Sequence, residues 1–189
     1  MRSTVSAPAG AAVAVTAAGI LDGYQPGDEM ATAVWEKVIA VNLTGTFLAA
    51  RRALAEMLPR RAGRIVAVAS VAGLVGSGGG PAYTASKHGV VGLVRQLAIT
   101  YAERGVTVNA VCPGAIPTAL RANSTRILGA EAPPMGGVGG DDAAVRAITP
   151  AGRRGTVEEV AAATRYLCSE EAAYVTGHAL VVDGGWTAR

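Results

Sequence analysis

Tyr83 and Lys87 are the residues of this 189-residue chain whose types and spacing fit chemistry best. They lie four positions apart on what reads as a helix opening at Ala82, so they stand one turn above each other on one face. Lys87 is one of only two lysines in the sequence. An ammonium beside a phenol favours the phenolate, which would pull the tyrosine down from its ordinary value of about 10. A tyrosine tuned in that way exchanges a proton with a substrate oxygen near neutral pH. The same spacing alone also fits a core tyrosine beside a lysine whose stem lies along apolar surface.

Two further polar residues fall where such a site needs them. Ser70 ends an apolar run, Ile65–Ala69, that reads as a buried strand, although strand-ending serines are common. Asn42 follows Ile39 by three, Val38 by four and Trp35 by seven positions, which points its amide along the core stripe of a helix. A buried amide must be hydrogen-bonded, either to local backbone at a bend or within a functional site.

The elements that must position these residues alternate regularly. Residues 11–18 read as a strand, 30–58 as a helix with Trp35, Val38, Ile39, Leu43, Thr46 and Phe47 on its core face, and 64–69 as a strand. The Tyr83 helix runs to about 104, and 106–111 form a strand broken by Pro113-Gly114. Residues 115–155 are the least regular part, with helical pieces at 118–128 and 141–148. A helix over 156–168 opens on Thr156 with Glu159 three residues later, a capping box, and a strand at 178–182 closes the chain. This alternation predicts an α/β fold with a parallel sheet and helices on both faces. Ligands of such sheets sit beyond the carboxyl ends of the strands, where Ser70, Pro113-Gly114 and the start of the Tyr83 helix all fall.

Composition narrows the function. The net charge is +3, yet the arginines are scattered in pairs and aromatic residues make up only 4%, which argues against a nucleic-acid surface. Cys112 and Cys168 stand alone without metal-ligand spacing, so no metal is expected. No uninterrupted apolar run approaches the roughly 20 residues of a membrane span, and Pro8 and Gly10 interrupt the N-terminal alanines, so no membrane and a cytoplasmic location are expected.

Together, Val41-Asn42-Leu43-Thr44-Gly45, Ser70, Tyr83-x-x-x-Lys87, Asn109-Ala110-Val111-Cys112-Pro113-Gly114 and Val182-Asp183-Gly184-Gly185 resemble the short-chain dehydrogenase/reductase family, from about residue 11 to the C-terminus. The resemblance implies a Rossmann-like sheet and an NAD(P)-dependent oxidoreductase, 3-oxoacyl-reductase-like or similar, interconverting an alcohol and a ketone or aldehyde. It implies a catalytic set of Asn42, Ser70, Tyr83 and Lys87: Tyr83 as acid/base, Lys87 lowering its pKa and holding the nicotinamide ribose, Ser70 holding the substrate oxygen, and Asn42 positioning a water. Cofactor contacts would come from Gly19, Tyr83, Lys87, Pro113, Gly114, Ile116 and Thr118, and residues 115–155 would be a substrate lid. Helices 30–58 and 81–104 would form a homodimer or homotetramer interface.

The match fails at one end. The family's first three strands and its glycine-rich Thr-Gly-x-x-x-Gly-x-Gly turn have no counterpart, and Thr16-Ala17-Ala18-Gly19 stands where the family writes Asn-Asn-Ala-Gly. The glycine runs at 73–80 and 136–140 follow the wrong elements to replace that turn. The expectation is therefore an N-terminally truncated domain over 11–189 behind a loose 1–10 segment, with only the nicotinamide half of an NAD or NADP site. A non-catalytic remnant that pairs with itself or with an intact relative is the alternative.

Overall fold

The computed structural model describes residues 12–188; the segment expected to be loose, 1–10, lies outside them. Four parallel strands, β1 (Ala12–Thr16), β2 (Gly63–Val68), β3 (Val106–Pro113) and β4 (Ala179–Val182), form one sheet in sequential order. Each strand is one or two residues from its expected bounds.

The helices lie as parallel crossovers require. α1 (Thr32–Ile39) and α2 (Gly45–Met57) connect β1 to β2, and α3 (Pro81–Tyr101) connects β2 to β3. Ile65 and Ala67 of β2 and Val106, Val108, Ala110 and Cys112 of β3 point to this face, where they pack with Leu54 and Met57 of α2 and Val90, Val94 and Leu97 of α3. The alternate residues Val66 and Val111 point the other way, against Leu167 and Val160 of α6 (Val157–Leu167). Strand alternation thus sorts the core into two layers. Both faces of the central strands are covered, and β2 and β3 are buried nearly throughout. Val13 and Val15 of β1 remain about half exposed on the α6 side, at 41% and 46%.

α1 and α2 are one continuous rod with a π-helical turn, Ala40–Thr44, between them. That turn changes the buried face. The inward residues are Val34, Val38, Asn42, Thr46, Ala50, Leu54 and Met57, whereas Trp35 and Phe47, expected on the core face, are each 40% exposed. Trp35 lies before the turn, one position from the inward Val34. Beyond the turn the added residue shifts the winding, so a straight 3.6-residue period misassigns Phe47. By length and composition the Thr32–Met57 rod is long and apolar enough to cross a membrane, but its inward stripe packs on this sheet and on α3.

Two local devices set the remaining elements. Thr156 accepts from Glu159 N and the Glu159 carboxylate accepts from Thr156 N, so the expected capping box starts α6. Gly105 turns the chain from α3 into β3 with φ +78, and a side chain there would collide with the Arg61 carbonyl. Two short helices, α4 (Leu120–Leu128) and α5 (Asp142–Ile148), lie between β3 and α6 in the chain.

Candidate active site

Ser70 and Tyr83 meet where two cavities adjoin. One, of about 560 Å³, is bounded by Gly19, Lys87, Pro113, Gly114, Ile116 and Thr118; the other, of about 150 Å³, by Tyr24, Ile116, Arg121 and Trp186, and both touch Ser70 and Tyr83. Both open at the carboxyl ends of β2 and β3, as a parallel sheet dictates.

Each side chain has a local reason for its place. Ser70 follows β2 and caps the short 3-10 turn Val71–Gly73 by accepting from Ala72 N at 3.1 Å. Pro81 sits in the first turn of α3, where its missing N–H costs nothing. Tyr83 and Lys87 follow on one face, both buried, with the ammonium 5.6 Å from the ring centroid.

The electrostatics differ from the sequence expectation. Burial pushes the Tyr83 phenol up to about 12, with the Ser70 side chain pulling it back and Tyr24 and Asp22 adding to the rise. The Lys87 Nζ turns to the Val68 carbonyl, to which it donates at 2.9 Å, and burial holds the ammonium down to about 8. Loss of hydration disfavours the charged form of both groups and outweighs their mutual effect in the protein alone.

Asn42 lies on the inner side of the π turn with no exposed surface. Its Oδ1 accepts from Ile20 N at 2.8 Å, and its Nδ2 donates to Ile20 O and to Ser86 Oγ, each at 3.0 Å. Both amide hydrogens are spent on protein. The side chain braces the end of the β1 loop against α3, and a further partner could approach only its Oδ1 acceptor. Gly19 lies between them and the cavity: a Cβ there would touch Asn42 Oδ1 at 3.5 Å and Lys87 Nζ at 3.6 Å. Gly114 N donates to Val182 O at 3.0 Å, tying β3 to β4, and Thr118 Oγ1 accepts from Leu120 N at 3.3 Å near the start of α4.

A family model described as enoyl-(acyl carrier protein) reductase matches residues 3–187. The chain is 45% identical over 174 residues to 2-(S)-hydroxypropyl-CoM dehydrogenase 3 of Xanthobacter autotrophicus, covering 92% of this chain and 65% of that protein. This protein belongs to the short-chain dehydrogenase/reductase family. An inactive 2-(S)-hydroxypropyl-CoM dehydrogenase 2 of the same organism is 47% identical over 154 residues, covering 82% of this chain and 64% of the relative. Among solved structures, a proposed 2-deoxy-D-gluconate 3-dehydrogenase of Agrobacterium tumefaciens with bound NADP superimposes with a TM-score of 0.78 at 38% identity, covering 94% of this chain and 68% of that one. The chain thus spans just under two thirds of the length of the curated relatives it matches.

In this short-chain dehydrogenase/reductase two residues that shape the site carry no short-range signal in the sequence. Asp22 is fully buried, and its carboxylate accepts from Tyr24 N and Gly80 N at 3.2 Å and from Tyr83 N at 2.9 Å. It supplies the acceptor that the N-cap Gly80 lacks, at the positive end of α3. A Cβ on Gly80 would approach Asp22 Oδ1 to 2.6 Å. The helix end that follows the 73–80 glycines is therefore already occupied by a carboxylate, and is not a phosphate cradle. Arg121 is the second: its guanidinium gathers the 135–137 segment and lines the smaller cavity.

Proposed function

We propose that the chain is an NAD(P)-dependent oxidoreductase that interconverts an alcohol and a carbonyl, with Tyr83 moving the proton on the substrate oxygen. The observation that supports this reading is the meeting of the Ser70 and Tyr83 hydroxyls at the junction of the two cavities. A substrate oxygen seated there receives a hydrogen bond from Ser70 and a proton from Tyr83, and charge developing on it is held by both. Leu21 and Trp186 line the smaller cavity and keep that oxygen away from bulk water.

The larger cavity suits a nicotinamide group. Gly19, Lys87, Pro113, Gly114, Ile116 and Thr118 line it, and the bare Cα of Gly19 leaves Lys87 Nζ open to a ribose hydroxyl. When bound, the cofactor supplies the hydride. These residues form the nicotinamide half of an NAD or NADP site. The reading extends to α4 and α5 as a substrate lid, to self-association through the α1–α2 rod and α3, which expose Trp35, Phe47, Leu48 and Ile99, and to a cytoplasmic location, in keeping with two free thiols.

A non-catalytic pairing protein is the second reading. It is favoured by the occupied N-terminus of α3 and by the similarity to an inactive relative. Calorimetric titration of the chain with NADH and NADPH, beside a turnover assay, separates the two. Saturable binding weakened by Lys87→Met, with turnover abolished by Tyr83→Phe, supports the enzyme. Absence of binding, with stable association to an intact relative, supports the pairing protein.

A further inference from the structure

Two arginines and no carboxylate line the small cavity beside Ser70 and Tyr83. Their charges are not equivalent. Arg154 is neutralised: its Nε is paired with the Asp142 carboxylate, and its Nη1 donates to Gly139 O. Arg121 is not. Its Nη1 donates to Met135 O at 2.6 Å and Gly136 O at 2.5 Å, and its Nη2 to Gly137 O at 3.3 Å. These are neutral acceptors, and among the described residues Arg121 makes no salt bridge.

A guanidinium carries five N–H donors. Three serve the 135–137 carbonyls, which leaves Nε–H and one Nη2–H on a half-buried, uncompensated cation. The one buried carboxylate nearby, Asp22, is sealed from solvent and spent on three backbone N–H groups. The Tyr24 phenol lies near enough to feel both charges, and its hydroxyl is turned to Gly78 O at 2.7 Å. The cavity that holds the Ser70 and Tyr83 hydroxyls therefore carries a net positive charge, with its cation fixed by backbone rather than by an acid. Such a site favours an anion with planar, doubly accepting geometry.

We infer that the substrate carries an anionic group, of carboxylate-like chemistry, that is bound by Arg121 in the small cavity while its carbonyl or hydroxyl carbon faces Ser70 and Tyr83. Arg121 is then the specificity-determining residue of the site. This rests on the oxidoreductase reading for the role of Ser70 and Tyr83, but the charge asymmetry stands by itself.

The test uses the purified chain and ligand-detected magnetic resonance with pyruvate, acetoacetate and levulinate, each against its neutral methyl ester. At least one oxo-carboxylate should bind about tenfold or more tighter than its ester, the ratio expected of one charge-assisted hydrogen bond. Arg121→Gln should erase that preference while leaving ester binding in place. Because the substitution also releases the 135–137 segment, a second measurement is needed: in the unaltered protein the preference should shrink as salt is raised, with ester binding unmoved. Equal binding of acid and ester at low salt overturns the anion subsite and leaves the oxidoreductase reading standing. No binding of either overturns the anion subsite and leaves the oxidoreductase reading to the cofactor titration and turnover assay. Binding of acid and ester that is itself unmoved by Ser70→Ala and Tyr83→Phe, with the Arg121-dependent preference intact, keeps the anion subsite and overturns the pose that seats the carbonyl at those hydroxyls.

Discussion

The carboxylate of Asp22 holds the backbone N–H of Tyr83 at 2.9 Å across 61 positions of sequence. The acid/base candidate is thus fixed twice, by its own helix and by an acceptor from the β1–α1 loop. Asp22→Ala should strand the N–H groups of Gly80 and Tyr83 in a buried place and cost about 2–3 kcal/mol, the usual penalty for hydrogen bonds to a buried charge. Asp22→Asn keeps one acceptor oxygen and should cost less. Urea unfolding with an unchanged slope would give both values, and an Asp22→Ala variant as stable as the parent would show that the carboxylate does not anchor α3.

Stability should depend on pH through Tyr83 and Lys87 in opposite senses. Lys87 falls from 10.5 to about 8 on folding, so the unfolded chain binds more protons between those values and stability rises as pH goes from about 8 towards 10.5. Tyr83 rises from 10.0 to about 12, so its contribution is intact below about 10 and is lost as pH climbs to about 12. Each shift corresponds to roughly 3 kcal/mol at its limit. Lys87→Met should flatten the first limb and Tyr83→Phe the second, read from denaturant midpoints across the alkaline range. A limb that survives its substitution belongs to another group.

Asn42→Ala should leave Ile20 N, Ile20 O and Ser86 Oγ without their partner in a fully buried place. A loss of about 3 kcal/mol or more is expected. Asn42→Asp should do no better, because it sets an oxygen where Nδ2 donated to the Ile20 carbonyl. It should also raise the Lys87 pKa above about 8, since Asn42 Oδ1 and Lys87 Nζ flank the same point at Gly19. Melting temperature and the Lys87 titration by magnetic resonance check the two parts separately.

What could be read from the sequence was what is local. The Thr156–Glu159 capping box, the four strands and a helix opening within a residue of Ala82 follow from short-range rules, and the structure has them. The convergence of Ser70, Tyr83 and Lys87 on one cavity follows from strand ends and helix spacing. Asp22 was illegible because its partners lie 58 and 61 positions away, beyond any periodicity. The direction of the Tyr83 shift was misread for a similar reason. Spacing says that a lysine is adjacent, but not how deeply both are buried or that Nζ faces the Val68 carbonyl. A straight helical period puts Phe47 inward because it takes no account of the extra residue in the Ala40–Thr44 turn, and it misses the inward face of α1 by one position, at Trp35 rather than Val34.

That turn makes one position of the rod expendable. Ala40–Thr44 stores one residue more than regular winding needs. Excising one residue there other than Asn42 would let the segment relax into an ordinary helix, with Val34 and Val38 before it and Ala50, Leu54 and Met57 after it still on one face. A deletion within α2 has no such slack: it turns everything after it by about 100° and carries Leu54 and Met57 away from the sheet. The reading frame of this helix is therefore under constraint everywhere but at its widest turn.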